Sequence, residues 1–150
     1  MSNSNGLAEM VAADPNYELR VQPDASELGR ARDFADAAAA RFGLGDRERH
    51  EFKLATSEAV ANAIEHGRAC SDGTIHLWIT ERPRRLTLGV RDAGRFIPKA
   101  AEPDPLSDRG RGIVMMSALV DAVALSRVDG HTHVELSKHR RLTLLRNRDN

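Results

Sequence analysis

One segment limits the folds available to this chain: residues 46–67, DRERHEFKLATSEAVANAIEHG. Acidic residues come early in the segment and Gly67 closes it, as expected of one long helix. Alanine and other apolar residues cover most of its circumference, which is typical of a buried helix. Glu58, Asn62 and His66 interrupt this pattern at intervals of four and therefore form one polar stripe. Because a buried carboxylate and carboxamide need partners, this helix must pack against other elements and against something polar.

Alternating apolar and polar residues predict a sheet on which this helix can pack. One strand is predicted at residues 17–21. Two more are predicted in GTIHLWIT and RLTLGVRD, with ERPRR as the hairpin turn. DAVALSRV and HTHVELS form a closing hairpin around Asp129-Gly130. Since the apolar residues of the second and third strands share one face, that face of the sheet should be covered.

Two further helices complete the predicted fold. DASELGRARDFADAAAARFG has Asp24 or Ser26 as a candidate N-cap and Gly43 where a C-cap belongs. A third helix is expected from about residue 112 to residue 119. Two or three helices on one face of a mixed, mostly antiparallel sheet make an α/β two-layer sandwich.

The segment between the last central strand and the third helix is predicted to be a lid. Residues 93–109, AGRFIPKAAEPDPLSDR, show no period and carry three of the six prolines. A structureless segment of this length inside a small domain is usually functional.

Length and charge limit the possible classes of function. The 150 residues fit one domain, with an expected disordered lead-in at 1–16, a folded domain at 17–137 and a basic tail at 138–150. Lys plus Arg balance Asp plus Glu at 22 each, so the basic excess that nucleic-acid binding needs is missing. The single cysteine favours a reducing compartment. With no apolar run of about 20 residues and no signal-peptide pattern, we expect a cytoplasmic protein that contacts neither nucleic acid nor membrane.

The polar stripe on the long helix has two interpretations. Polar pairs four residues apart are common on solvated helix faces. A magnesium nucleotide would also satisfy the stripe, because the Asn62 oxygen is a hard-cation ligand and Glu58 can orient or deprotonate an attacking hydroxyl. His66 can hydrogen-bond around the helix end or act as an acid.

The motif RDAGRF places a carboxylate where the chain leaves the sheet. Asp92 at this position can accept a hydrogen bond from the exocyclic amino group of adenine. Gly94 lets the backbone approach a base closely. Taken alone, Asp-x-Gly is also an ordinary turn signal.

The motif DRGRGI opens the third predicted helix. Gly110 and Gly112 free backbone amides to point at anionic oxygens, and the helix N-terminus adds a partial positive charge. Arg109 and Arg111 add full charges. The same glycines are equally compatible with a flexible start to a helix.

The order of these motifs resembles that of a known superfamily. EAVANAIEH, DAGRF and GRGI look like the N box and the first and second glycine boxes of the GHKL ATPases. The resemblance covers about residues 17–137. The resemblance implies the Bergerat fold, which holds ATP between helices and sheet under a mobile lid. The single-domain length and NAIEHG are more similar to bacterial anti-sigma factor serine/threonine kinases than to the larger members.

The resemblance also implies roles for individual residues. Glu58 would be the general base, Asn62 the magnesium ligand and Asp92 the adenine contact. The predicted nucleotide-binding set is Asn62, His66, Asp92, Gly94, Arg109, Gly110, Arg111 and Gly112. Phe96 departs from the family pattern, because it stands where many members have the second glycine of the first glycine box.

The implied function is that of an ATP- and Mg²⁺-dependent serine/threonine protein kinase. Its acceptor would be a small anti-sigma factor antagonist protein, and it would sequester a sigma factor when that antagonist is phosphorylated. An alternative is a nucleotide-gated binding regulator without kinase activity.

The remaining histidines and the single tryptophan are interpreted as surface features. His50 is predicted to be an exposed helix residue and not a phosphoacceptor, because it lies about 12 Å along the helix from Glu58. His131 and His133 have the spacing of metal ligands, but no acidic or thiol partner is evident nearby. Trp78 would lie on the sheet face away from the helices, so we predict a homodimer through that face.

Overall fold

The computed structural model describes Asp14, residues 16–94 and residues 108–140, with only the backbone described for 108–111. The strands are β1 (Glu18–Val21), β2 (Ile75–Arg82), β3 (Arg85–Asp92), β4 (Ala122–Val128) and β5 (His131–His139). The helices are α1 (Leu28–Phe42), α2 (Asp46–His66) and α3 (Asp108–Leu119), with a 3₁₀ turn at Ala25–Glu27 before α1.

The five strands form one sheet in the order β1-β2-β3-β5-β4, and each pairing is antiparallel. The residues that face the helices are buried and in register, as in the rows Leu77–Val90–Val134 and Ile79–Leu88–Leu136. The helices cover this one face, so the predicted two-layer α/β sandwich is confirmed. The sheet of the described residues is antiparallel throughout, and not mixed as predicted, because each pair of neighbouring strands runs in opposite directions. Among the described residues, no helix combines the length and the apolar character needed to cross a bilayer.

Local turn chemistry determines several of these boundaries. Asp24 caps the 3₁₀ turn, and its carboxylate accepts from the Ser26 backbone N–H. Gly43 ends α1 with a φ of 94°, the left-handed C-cap that glycine adopts without strain. Asp129 and Gly130 both have positive φ, as a two-residue hairpin turn between β4 and β5 requires.

Two boundaries differ from the sequence prediction. Helix α3 begins at Asp108, four residues before the expected start. The glycines of DRGRGI are helical there, because α3 packs along α2 and tertiary packing outweighs the low helix propensity of glycine. Strand β5 continues through His139, two residues into the segment predicted as a tail.

The end of β5 is tied to α2 by a buried ion pair. Lys138 is 6% exposed, and its Nζ donates to Oε1 of Glu51 at 2.7 Å. Arg47 forms a second, more exposed ion pair with the same carboxylate at 3.3 Å. The hydrogen bond from Lys138 holds the pKa of Glu51 below its usual value.

Lys138→Met is expected to lower the free energy of unfolding by about 1–3 kcal/mol. This is less than the usual cost of breaking a buried pair, because Glu51 keeps Arg47 and some solvent. Since folding lowers the pKa of Glu51, the contribution of the pair is present above the unfolded pKa and is lost as the pH falls. Urea unfolding should show the deficit at pH 7 and a smaller one below about pH 4. Arg82→Met, at an exposed position of β2, is the control, and equal midpoints for the two variants would contradict the prediction.

Candidate functional site

A buried carboxylate lies at the end of β3. Asp92 is 2% exposed, and its Oδ1 accepts from the backbone N–H of Gly94 at 2.6 Å and of Arg68 at 3.4 Å. Within the described part of the chain, no donor bonds to its other oxygen, Oδ2. Oδ2 is therefore open to a ligand that donates a hydrogen bond, such as an exocyclic amino group.

Two glycines pack against this carboxylate. A Cβ on Gly67 would lie 2.6 Å from the Ala63 carbonyl oxygen and from Oδ1 of Asp92, and one on Gly94 would lie 2.7 Å from the same Oδ1. Gly67 is in an extended conformation, with a φ of −94°, so any residue could adopt its backbone geometry. Glycine is needed there for close approach, a reason that the sequence pattern of a helix end did not indicate.

Gly67→Ala is therefore expected to destabilise the protein by about 1–3 kcal/mol, because the new methyl group meets the backbone as well as Asp92. Gly29→Ala is the matched control. Gly29 lies inside α1, and the nearest atom to its added Cβ is a side-chain nitrogen at 3.9 Å. The control should gain about 0.5–1 kcal/mol of helix propensity. Urea unfolding of both variants measures the difference, and shifts of the same sign would contradict the assignment.

The sequence reasoning missed two residues at this end of the sheet. Thr132 on β5 is directly opposite Asp92, is 1% exposed, and donates through Oγ1 to the Gly94 carbonyl at 2.9 Å. Arg127 on β4 donates to the same carbonyl at 3.2 Å. The backbone N–H of Gly94 thus donates to Asp92, and its carbonyl accepts from Thr132 on β5 and Arg127 on β4. The sequence does show a threonine, Thr132, on the buried face of HTHVELS, which could have indicated a polar contact at this position. Its partner, the Gly94 carbonyl, could not be predicted without the strand register.

A second polar group lies on the middle of α2. A Cβ on Gly112 would lie 2.6 Å from Oε2 of Glu58 and 2.8 Å from Nδ2 of Asn62. The structure thus brings Glu58, Asn62 and Gly112 together. Asn62 is 7% exposed, and its carboxamide has no hydrogen-bond partner among residues 14, 16–94 and 108–140. A carboxamide that makes no hydrogen bond to the described residues, beside a carboxylate, fits a hard cation that takes oxygen ligands.

The start of α3 lies over this pair. Gly110 and Gly112 belong to the first two turns of the helix, and not to a loop before it as the predicted boundary implied. The first four N–H groups of a helix lack intrahelical acceptors and carry partial positive charge, so this end of α3 suits anionic oxygens. The side chains of Arg109 and Arg111 lie outside the described residues, as do residues 95–107 of the predicted lid, Phe96 included.

The histidines lie apart from these two groups. His66 is exposed, and its Nε2 is 3.6 Å from Oε1 of Glu65. No hydrogen bond or ion pair joins His66 to Glu58, Asn62 or Asp92 within the described ranges. His50 is exposed on α2, as predicted. No cluster of metal-ligating side chains that includes His131 or His133 occurs among the described residues.

Comparison with known proteins points to one group. A sequence model of the histidine kinase-like ATPase domain matches residues 21–138. An anti-sigma F factor from Clostridium acetobutylicum is 33% identical over 88 residues, 53% of this chain and 62% of that protein. A serine-protein kinase RsbW from Bacillus pumilus is 28% identical over 130 residues, 77% of this chain and 80% of that protein. An anti-sigma F factor from Bacillus licheniformis is 32% identical over 99 residues, 59% of this chain and 68% of that protein.

A solved structure shares the fold. The structure of the RsbU and RsbW domains of a Mycobacterium tuberculosis protein aligns with a TM-score of 0.54 and 21% identity. The alignment covers 83% of this chain and 33% of that one.

Proposed function

The chain belongs to the histidine kinase-like ATPase family, and we propose that it is an ATP-dependent serine/threonine protein kinase of the anti-sigma type. The observation that carries the proposal is the Asn62 carboxamide, which makes no hydrogen bond to a described residue and lies beside Glu58 and under the start of α3. A structural polar pair would be expected to satisfy itself. This one faces a helix N-terminus that favours phosphate oxygens.

The proposed nucleotide site uses both groups of residues. Oδ2 of Asp92 accepts from the amino group of adenine, and the absence of side chains at Gly67 and Gly94 lets the backbone pack closely against this carboxylate. The amides at the start of α3 receive the phosphates. Asn62 would hold Mg²⁺ through its side-chain oxygen, and the ion would neutralise phosphate charge.

Glu58 has the position of a general base. Its carboxylate is half-buried, adjoins Asn62 and lies beside the helix end assigned to the phosphates. In phosphoryl transfer the acceptor hydroxyl loses its proton as its oxygen bonds to the γ-phosphorus and the bond to ADP breaks. Glu58 takes that proton, and the acceptor becomes a phosphoserine or phosphothreonine.

The names of the relatives suggest the protein partners. Two are anti-sigma F factors and one is a serine-protein kinase. We therefore propose a small antagonist protein as the phosphate acceptor and a sigma factor as the binding partner. The nucleotide state would select between these two partners.

The test is transfer of label from γ-³²P-ATP to a candidate antagonist. Incorporation into serine or threonine, dependent on Mg²⁺, is expected. Calorimetry with ATP is run in parallel. Tight ATP binding without label on the antagonist would exclude the kinase and leave the nucleotide-gated regulator, while absence of ATP binding would overturn both.

We also propose a homodimer through the sheet face that the helices leave uncovered. Trp78 lies on that face, and its ring meets the His133 ring edge-on at 5.2 Å. Aromatic residues are enriched at the centres of interfaces. Light scattering at micromolar concentration should give twice the monomer mass, and a monomer would overturn this proposal.

A further inference from the structure

Four basic side chains lie opposite one another on the outer face of the sheet. Arg20 pairs with His76, His76 with Arg91, and Arg91 with His133, across β1, β2, β3 and β5. We call these four residues the basic row. Because the two arginines carry a permanent positive charge, such a row favours compensating anions.

Asp72 compensates only the first half of the basic row. Its Oδ2 lies 3.0 Å from Nε2 of His76 and 3.7 Å from Nη1 of Arg20. Hydrogen bonds, the strongest from the Thr74 hydroxyl, lower the pKa of Asp72 to about 2, so the carboxylate is ionised at neutral pH.

Arg91 has no such partner. Its Nη2 lies 3.2 Å from Nδ1 of His131, but it forms no ion pair with a carboxylate of the described residues. Its Nε is buried and has no hydrogen-bond acceptor in the part of the chain that the structure describes. Burial, and then the charge of Arg91, lower the pKa of His133, which favours the neutral ring beside the guanidinium. An uncompensated, partly buried guanidinium is costly unless an anion joins it.

A cavity of about 300 Å³ lies against this part of the row. Its polar and aromatic walls are Glu18, Arg20, His76, Trp78, Arg91 and His133, and within the described chain the Glu18 carboxylate forms no ion pair with Arg91. Trp78 lies across Gly89, where an added Cβ would be 2.1 Å from the ring. The volume is at the lower end of the roughly 300–1,000 Å³ of small-molecule sites.

We propose that this cavity binds a small organic carboxylate, which pairs with the Arg91 guanidinium while its apolar part packs against Trp78. Guanidinium and carboxylate match in a planar, two-point geometry, and the tryptophan supplies apolar area beside it. The site is separate from the nucleotide residues, because the side chains of Arg91 and Asp92 lie on opposite faces of the sheet. It lies on the face proposed for the dimer, so its occupancy is linked to subunit association.

The test uses benzoate as the probe and benzamide as its uncharged counterpart. Trp78 is the only tryptophan, so its fluorescence reports on the cavity directly. At constant ionic strength, benzoate should give a saturable change and benzamide none. Arg91→Gln should weaken benzoate binding at least about tenfold. Arg85→Gln, an exposed position on the same face at the far end of β3, should leave it unchanged.

Arg91→Lys keeps the charge but loses the planar fork, so it should bind benzoate with intermediate affinity. This variant tests the proposal even if Arg91→Gln unfolds. ATP binding should be retained in each variant, which separates this proposal from the nucleotide site. An equal response to benzamide, or undiminished benzoate binding in Arg91→Gln, would overturn the carboxylate assignment. A Trp78 fluorescence change that depends only on protein concentration, in parallel with the dimer mass, would mean that a second copy of the chain fills the cavity. That result would also overturn the carboxylate assignment.

Discussion

Asp92→Asn should weaken ATP binding by about 10- to 150-fold, the cost of losing a hydrogen bond to a charged acceptor. An amide offers one acceptor where the carboxylate offers two. In the wild type, Oδ1 of Asp92 accepts from the backbone N–H groups of Gly94 and Arg68. If the asparagine oxygen faces adenine, the asparagine NH₂ group points at these two N–H groups. If the asparagine oxygen faces the backbone instead, the asparagine NH₂ group points at the amino group of adenine. Either orientation places donor against donor.

Calorimetry with ATP and GTP measures both affinity and selectivity. Guanine presents an acceptor where adenine presents its amino group, so the preference for ATP should shrink in Asp92→Asn. Asp33→Asn, at an exposed position on α1, is the control and should behave as wild type. Unchanged ATP affinity with unchanged selectivity would remove Asp92 from the base-binding site.

Glu58→Ala should lower phosphoryl transfer by about 10²- to 10⁴-fold while ATP still binds. The proposed role is removal of a proton from the acceptor hydroxyl, which alanine cannot perform. Glu58→Gln should be almost as impaired, because an amide keeps the shape of the side chain but not its basicity. Loss of transfer in both variants therefore separates basicity from packing against Gly112.

Single-turnover transfer from ATP to the antagonist is the measurement, with ATP affinity determined alongside. Glu65→Gln, an exposed position on the same helix, is the matched control and should transfer phosphate normally. Full activity in Glu58→Ala would refute the base assignment. A proportional loss of ATP affinity would instead assign Glu58 to nucleotide binding.

Most of the fold was predictable from local pattern. The predicted family and two-layer sandwich are confirmed. Helix α2 spans Asp46–His66, as predicted, because acidic residues begin it and Gly67 follows it. The β4–β5 hairpin turns at Asp129-Gly130, where only residues tolerant of positive φ fit. These features depend on residues that are neighbours in sequence.

The start of α3 was predicted less well, because it depends on residues that are distant in sequence. Glycine has low helix propensity, so GRG indicated a loop before the helix. In the structure Gly112 is within α3, where the absence of a side chain lets the helix lie against Glu58 and Asn62. That advantage is visible only when α2 is present beside it.

The sequence alone determined which residues could do chemistry and in which order along the chain they occur. A carboxylate and a carboxamide four residues apart on a helix, a carboxylate at a strand end and a glycine after each of the first two helices are local facts, because side-chain direction follows backbone period. The tertiary structure decided which of them meet. Strand register set Thr132 opposite Asp92, and helix packing set Gly112 on Glu58. Strand register also placed Arg91 where its Nε has no acceptor among the described residues. Such contacts join residues far apart in sequence, and only burial of the shared core brings them together.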